Sequence, residues 1–387
     1  MVENTSGPFL QRRREVTVKV QRIRLPETDE ISWVVLDDTY LPIESIQTYL
    51  AFLESLGRSP NTRRAIVHHL KLFWEFLHTE QAEWTEVDIA RLASFISWLR
   101  RPASETLSIV PQKAMRTNAT IDQMLASVHG FYDFHMRLGA IPEQPLYQFL
   151  AHTPRRYKPF LYGIAKLKPI QARVVRVKRE RRRVKTLTQD QIEQLIAACT
   201  HVRDKFLLTL LAQTGMRIGQ ALGLRHSDIR VEDNEIHIVP REHNVNGARA
   251  KSRHTYVIPD VPASVMQLYT DYLIEDLGVL ESDHLPDYVF VNIWEGERGR
   301  PMSYDAVMSL IRRLRKRTAI EVSPHQFRHT RATSWLRDDQ LSLESTSALL
   351  GHASIETTRV TYDHRNVEDV KKELQAARKR RESGHEQ

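Results

Sequence analysis

Cysteine is nearly missing from this sequence. Cys199 is the sole one in 387 residues, which excludes an intramolecular disulfide framework and any cysteine-based zinc site. Long apolar runs are missing too. No stretch approaches the roughly 20 residues that a membrane-spanning helix needs, and residues 1–10 hold no apolar core of signal-peptide length. A soluble, cytoplasmic protein in a reducing setting, with no membrane partner, is the expectation. No internal repeat is apparent across the N-terminal half, so a solenoid is not expected.

What is present is an ordinary folding balance, 41% hydrophobic and 27% charged, over a length that suits two domains with extensions. Charge is unevenly spread. Residues 155–185 carry thirteen Lys or Arg and a single acid, Glu180, a local charge of +12 in a chain of net +8. The rest is therefore net negative, and the positive field sits near mid-chain. A basic stretch of this density attracts a polyanion by releasing its counterions; by itself it also suits a solvated linker.

Periodicity divides the chain further. Val16, Val18, Val20 and Ile23 alternate as in a strand, which makes residues 1–40 an arm or small ribbon. Four amphipathic helices are predicted over 41–152: one ending near Gly57, one opened by Ser59-Pro60, one by a capping box of Thr85 and Asp88, and one from about Thr117 to Gly139. Residues 153–185 form the basic linker. Thr188 and Gln191 form a second capping box, and an apolar helix over 206–213 stops at Thr214-Gly215. Ile236, Ile238, Tyr256 and Ile258 read as two strands of a hairpin around Asn246-Gly247. Further helices are predicted near 262–277, 303–318, 324–337, 342–350 and 366–380, followed by a basic tail at 376–387. The fold class is mainly α: a helical domain, then a mixed, mostly α domain with a small antiparallel sheet.

Chemistry concentrates in four segments. They are Thr214-Gly215-Met216-Arg217, Ala250-Lys251-Ser252-Arg253, His325-Gln326-Phe327-Arg328-His329-Thr330, and Leu350-Gly351-His352 with Tyr362 ten residues on. Guanidinium groups neutralise two phosphate oxygens in a bidentate, permanently charged way, so Arg217 and Arg328 suit a phosphodiester. Arg217, after a Thr-Gly break, is expected where a new helix begins. His325 and Arg328 are three apart at the start of a helix opened by Ser323-Pro324, so they share a face. Lys251, on a flexible stem, can protonate a departing 5′ oxygen; Arg249 and Arg253 compete for that role. Tyr362 is the sole tyrosine after His352, and its phenol needs a base or a positive field to attack near neutral pH. His325 and His329 have the spacing of a helical zinc pair, yet the metalloprotease glutamate is missing and an arginine stands between them. Neither a metal nor a cofactor is expected.

Taken in order, these segments resemble the tyrosine recombinase, or phage-integrase, family over about 186–375. The helical domain is similar to that family's SAM-like core-binding domain in position and type. The resemblance implies a catalytic domain at 186–375 with Arg217, Lys251, His325, Arg328, His352 and Tyr362 as catalytic residues. His352 would donate a hydrogen bond to the scissile phosphate, and Tyr362 would form a 3′-phosphotyrosyl link. It also implies double-stranded DNA as partner, clamped between the two domains, a homo-tetramer on two DNA sites, accessory recombination proteins and residence at the bacterial nucleoid. Three departures, Gln220 and Gln326 in place of acids and a His352-to-Tyr362 interval one residue longer than usual, suggest a diverged, transposon-borne branch. A type IB topoisomerase-like enzyme and a catalytically inactive DNA-binding factor are the alternative readings.

Overall fold

Side-chain oxygens that accept a backbone N–H mark where many of the helices begin, and these caps set where each apolar face meets the core. The computed structural model describes residues 18–24, 31–101, 116–143, 146–150, 170–178, 184–241, 244–252, 254–280, 287–294, 297–352 and 354–362. The chain divides into two units, Met1–Arg181 and Arg182–Gln387.

In the first unit, strands β1 (Lys19–Arg24) and β2 (Ile31–Leu36) pair antiparallel, with Lys19 opposite Leu36 and Arg24 opposite Ile31. The N-terminal ribbon is thus two-stranded; Val16 lies outside the described residues. Four helices follow: α1 (Glu44–Ser55), α2 (Pro60–Thr79), α3 (Ile89–Arg100) and α4 (Asn118–Arg137). Ser59 caps α2 by accepting from the Thr62 N–H at 3.2 Å, with Pro60 at the first helical position, and Thr117 caps α4 in the same way. The third start differs from expectation. Thr85 sits in a 3-10 turn, Trp84–Glu86, and Asp88 is itself the cap, its carboxylate accepting from Arg91 N–H at 2.8 Å. A carboxylate three residues before a free N–H satisfies that donor directly and needs no threonine upstream.

The core of this unit is aromatic. Phe73 is fully buried, edge-on to Phe95 at 5.0 Å and to Tyr132 at 6.0 Å, while Trp74 and Trp84 pack against Phe131. Part of the basic stretch belongs to this unit. Strand β3 (Tyr147–Leu150) pairs antiparallel with β4 (Ile170–Arg173), and Val175 and Val177, two apart, pack on the helical core. Arg173 pairs with Asp122 at 3.4 Å, so at least one of the basic residues is structural.

In the second unit, α5 (Gln189–Ala197) opens on the reciprocal box of Thr188 and Gln191. Helix α6 (Val202–Thr214) buries Phe206, Leu207, Leu208, Leu210 and Leu211 around its circumference, as an all-round apolar helix must. A single turn, α7 (Ile218–Ala221), leads to a three-stranded antiparallel sheet of β5 (Ile229–Arg230), β6 (Glu235–Ile238) and β7 (Tyr256–Ile258) in that order. Then come α8 (Ala263–Tyr272), continued by a π-helical turn, α9 (Tyr304–Thr318), α10 (Pro324–Arg337), α11 (Leu343–Leu349) and α12 (Ile355–Tyr362). The helix expected at 366–380 lies outside the described residues.

The β6–β7 hairpin is real but its turn is not a tight Asn-Gly pair. Ile236 faces Ile258 and Ile238 faces Tyr256, and the connection between them runs over 239–255. Asn246 donates to the carbonyls of Leu222 and Met302, and Asn244 to those of Arg241 and Ala248. These bonds tie the connection to the scaffold, so the Asn-Gly pair makes a local turn inside a longer loop.

Truncating Phe73 to alanine should cost the first unit about 3–5 kcal/mol, the range for a buried phenylalanine. Tryptophan fluorescence during urea unfolding reads this unit through Trp74 and Trp84. A loss under about 1 kcal/mol would mean that the aromatic cluster is not its core.

Candidate active site

Two left-handed turns, at Gly215 and Gly351, and the helix α10 between them in sequence bring the site together. Helix α6 ends at Gly215, whose φ of 60° is left-handed; a Cβ there would touch Arg331 and Leu350 at 3.4–3.5 Å. The chain turns, and Arg217 becomes the residue preceding α7, as expected from the Thr-Gly break. Gln220 then holds Arg217 through the backbone: its Oε1 accepts from the Arg217 N–H at 2.7 Å, while its Nε2 donates to Tyr256 Oη at 2.9 Å. The amide expected to orient this arginine does so, but at the peptide rather than at the guanidinium. Gln326, the other substituted position, is half-buried and lies at the start of α10.

Helix α10 carries the second arginine inward. Arg328 is 1% exposed, and its guanidinium donates to the carbonyls of Gly215 at 3.0 Å and Leu350 at 2.8 Å and to His352 Nε2 at 2.8 Å. Arginine can only donate, so His352 carries its proton on Nδ1, directed at Thr358 Oγ1 2.7 Å away. Gly351, with φ 59°, is the second left-handed turn; a Cβ there would lie 2.6 Å from the Tyr256 ring.

Tyr362 closes α12 and is 7% exposed. The ten-residue interval after His352 is taken up largely by this helix. The phenol oxygen interacts with Arg328 and lies 3.0 Å from His329 Nδ1. Because Arg328 supplies its own proton to that oxygen, the phenolic hydrogen is left for His329. His325 stacks edge-on with His329 at 4.1 Å, one helical turn away. Lys251 stands apart. It is exposed, has φ 54°, and makes no hydrogen bond to the other five expected residues among those described. Its charge is nevertheless felt at His325.

The electrostatics set this cluster apart from other buried arginines. Arg203 is paired with Asp204 at 2.6 Å, and Arg241 grips Asp228 through two bonds of 2.7 and 2.8 Å. Among the described residues, neither Arg217 nor Arg328 has a carboxylate partner, and Arg217 Nη1 is buried without a hydrogen bond. Burial, together with the repulsion of Arg217, pulls Arg328 down to about 10, and burial lowers Arg217 as well. Both remain cationic near neutral pH, so two unneutralised charges face one small space. Burial and these arginines hold His352 at about 4, and burial with His325 and Arg328 does the same for His329. The rings are therefore neutral. Burial also raises Tyr362 above the usual phenol value, outweighing Arg328 and Arg217. No group of three or more His, Cys, Asp or Glu residues among those described could hold a metal.

Sequence reasoning did not assign two residues of this cluster. His329 was weighed only as a zinc-pair partner, although its position four after His325 places it on the same face. Tyr256 was read only as a strand residue, and nothing local distinguishes it.

An uncompensated arginine pair beside a buried phenol equips a protein to hold a phosphodiester next to a nucleophile. Comparison with known proteins carries this to a family. The Phage integrase family model matches residues 185–369, and the Phage integrase N-terminal SAM-like domain matches 46–139. Transposase A from transposon Tn554 of Staphylococcus aureus is 37% identical over 366 residues, covering 94% of this chain and 99% of that protein. Tyrosine recombinase XerA of Saccharolobus solfataricus is 28% identical, over 50% of this chain and 56% of its own length. Among solved structures, the Tn1549 transposon integrase with a circular intermediate DNA aligns at a TM-score of 0.57 and 16% identity, over 86% of this chain and 99% of that one. A lambda integrase dimer bound to a core site aligns at 0.55 and 16%, over 83% and 95%. The chain belongs to the phage integrase family, the tyrosine recombinases, which cut and rejoin DNA strands.

The histidines give a stability signature. His329 and His352 titrate at about 4 when folded and near about 6.5 in an unfolded chain. Between these values the unfolded chain binds more protons, so their contribution is complete above about pH 6.5 and is lost as pH falls toward about 4. The melting temperature of the second unit should fall across this window. A melting temperature that rises on acidification would contradict neutral, buried rings.

Proposed function

We propose that this protein is a transposase-type, site-specific recombinase that acts through a 3′-phosphotyrosyl link on Tyr362. The observation that carries the reading is the arginine pair, Arg217 and Arg328, which has no carboxylate partner among the described residues and acts on the Tyr362 phenol. The similarity to the Tn554 transposase supports the mobile-element role.

The chemistry follows from the neighbours of the phenol. A scissile phosphate occupies the space before Arg217 and Arg328, which neutralise its non-bridging oxygens. Tyr362 Oη bonds to phosphorus as its proton passes to His329 Nδ1, and the bond from phosphorus to the 5′ oxygen breaks. Lys251, at the rim on a flexible stem, gives that oxygen its proton. A 5′-hydroxyl from another strand later attacks the phosphotyrosine and releases Tyr362, so the bond energy is conserved and no nucleotide triphosphate is consumed. His325, stacked on His329 and close to both arginines, lines the phosphate side.

His352 needs one change before it can serve the phosphate. Its Nε2 accepts from Arg328. Donating to a phosphate oxygen requires a proton at Nε2, supplied either by protonation, which an arriving negative charge favours, or by a tautomer change in which Thr358 Oγ1 donates to Nδ1. Double-stranded DNA is the substrate, with the basic 155–185 stretch adding phosphate contacts. A homo-tetramer on two DNA sites, accessory proteins and residence at the nucleoid in the cytoplasm complete the reading.

A nicked suicide duplex, built on junctions recovered from cells in which the protein acts, tests it. Wild type should give an SDS-resistant adduct, and Tyr362→Phe none; an adduct with the phenylalanine variant would remove Tyr362 as nucleophile. His329→Ala should slow adduct formation on the order of a hundredfold while leaving duplex affinity unchanged, the scale of a lost proton acceptor. Relaxation of supercoils without any joining of two sites would instead favour a topoisomerase.

A further inference from the structure

Tyr256 is a second phenol at the arginine pair, and its hydrogen-bond state can be deduced. The Arg217 N–H can only donate, so the Gln220 oxygen must face it at 2.7 Å and the Gln220 NH₂ must face Tyr256. The Tyr256 oxygen therefore accepts at 2.9 Å and keeps its own proton for another acceptor. No acceptor for that proton is found among the described residues. The ionic neighbours of the ring are Arg328 and Arg217, which cannot accept. Gly351 lies against it so closely that a Cβ would stand 2.8 Å from the hydroxyl. The hydroxyl is thus held between the turn carrying Arg217 and the turn carrying His352.

We propose that Tyr256 is a further catalytic residue, whose hydroxyl donates a hydrogen bond to a non-bridging oxygen of the scissile phosphate alongside Arg217 and Arg328. The proposal rests on the reading of that pair as the phosphate site. It gives Gln220 a second task. An amide both fixes the Arg217 peptide and turns the Tyr256 proton toward the substrate, whereas a carboxylate at the same position would draw that proton to itself and compete with phosphate for the guanidinium groups. Burial lifts Tyr256 above the usual phenol value, so the proton is present to donate near neutral pH. The donor is neutral and preorganised, which adds hydrogen bonding without a third repelling cation.

The test uses the full chain on the nicked duplex described above. Tyr256→Phe preserves the ring packed on Gly351 and should leave duplex affinity unchanged; it removes the acceptor of Gln220 Nε2, so the melting temperature should fall and rates are compared well below it. Adduct formation should slow on the order of tenfold to a hundredfold, as for loss of one preorganised donor. The two methylphosphonate isomers at the scissile position supply a readout that packing would not move. On the isomer lacking the contacted oxygen, wild type and Tyr256→Phe should cleave at the same rate; on the other isomer the deficit should persist. Gln220→Glu should slow cleavage to a similar degree, and adding Tyr256→Phe should cost little more.

An undiminished rate for Tyr256→Phe while Arg217→Ala abolishes the adduct overturns the Tyr256 role and leaves the phosphate site standing. A deficit equal on both isomers and on natural phosphate also overturns it, because that is the mark of packing. Wild-type cleavage by Arg217→Ala, in contrast, overturns the phosphate site itself. An adduct mapped to Tyr256 in the Tyr362→Phe protein overturns the donor role of Tyr256 and the assignment of Tyr362 as nucleophile, and leaves the phosphate site standing.

Discussion

Arg328 donates to Gly215, Leu350 and His352, and through those bonds one side chain joins the end of α6, the end of α11 and the turn into α12. The segments lie far apart in sequence, and each carries part of the site: Arg217 follows Gly215, His352 follows Leu350, and Tyr362 closes the helix beyond. A buried guanidinium without a carboxylate is costly, and the three bonds offset only part of that cost. Replacing Arg328 therefore removes all three bonds at once and loosens the junction.

The same absence of carboxylates bears on the other protonation states. Burial, reinforced by Arg328 and His325, keeps His329 and His352 neutral, and burial keeps Tyr362 and Tyr256 protonated. An anion entering that space favours protonation of the histidines and keeps the phenols protonated. Charge compensation at the arginines and the change at His352 are thus coupled to one event, the arrival of a phosphate.

Much of the architecture was legible because its signals are local. The caps at Ser59, Thr117 and Thr188 lie within three residues of the N–H groups they satisfy, and Gly215 stops α6 in a left-handed conformation that favours glycine. Where a local signal competed with distant partners, the reading slipped. Asn246-Gly247 has the composition of a tight hairpin turn, yet Asn246 bonds to Leu222 and Met302, 24 and 56 residues away. Strand β4 and the Val175 and Val177 that follow it lie inside the basic stretch, whose charged composition masks their alternation, while the partner strand β3 precedes that stretch.

The chemistry divides in the same manner. Residue type and order, with the family resemblance they carry, single out Arg217, Lys251, His325, Arg328, His352 and Tyr362 as candidates, since few side chains can neutralise a phosphate, protonate a leaving oxygen or attack phosphorus. Their arrangement was not contained in that order. That Gln220 serves Arg217 through its peptide, that Tyr256 stands beside the arginines, and that His329 receives the phenol were decided by contacts across 33 to 36 residues or by the direction in which a buried amide must point. Local backbone chemistry determines where helices and turns fall. Which donor faces which acceptor depends on distant segments packing together, and that was settled only in the tertiary structure.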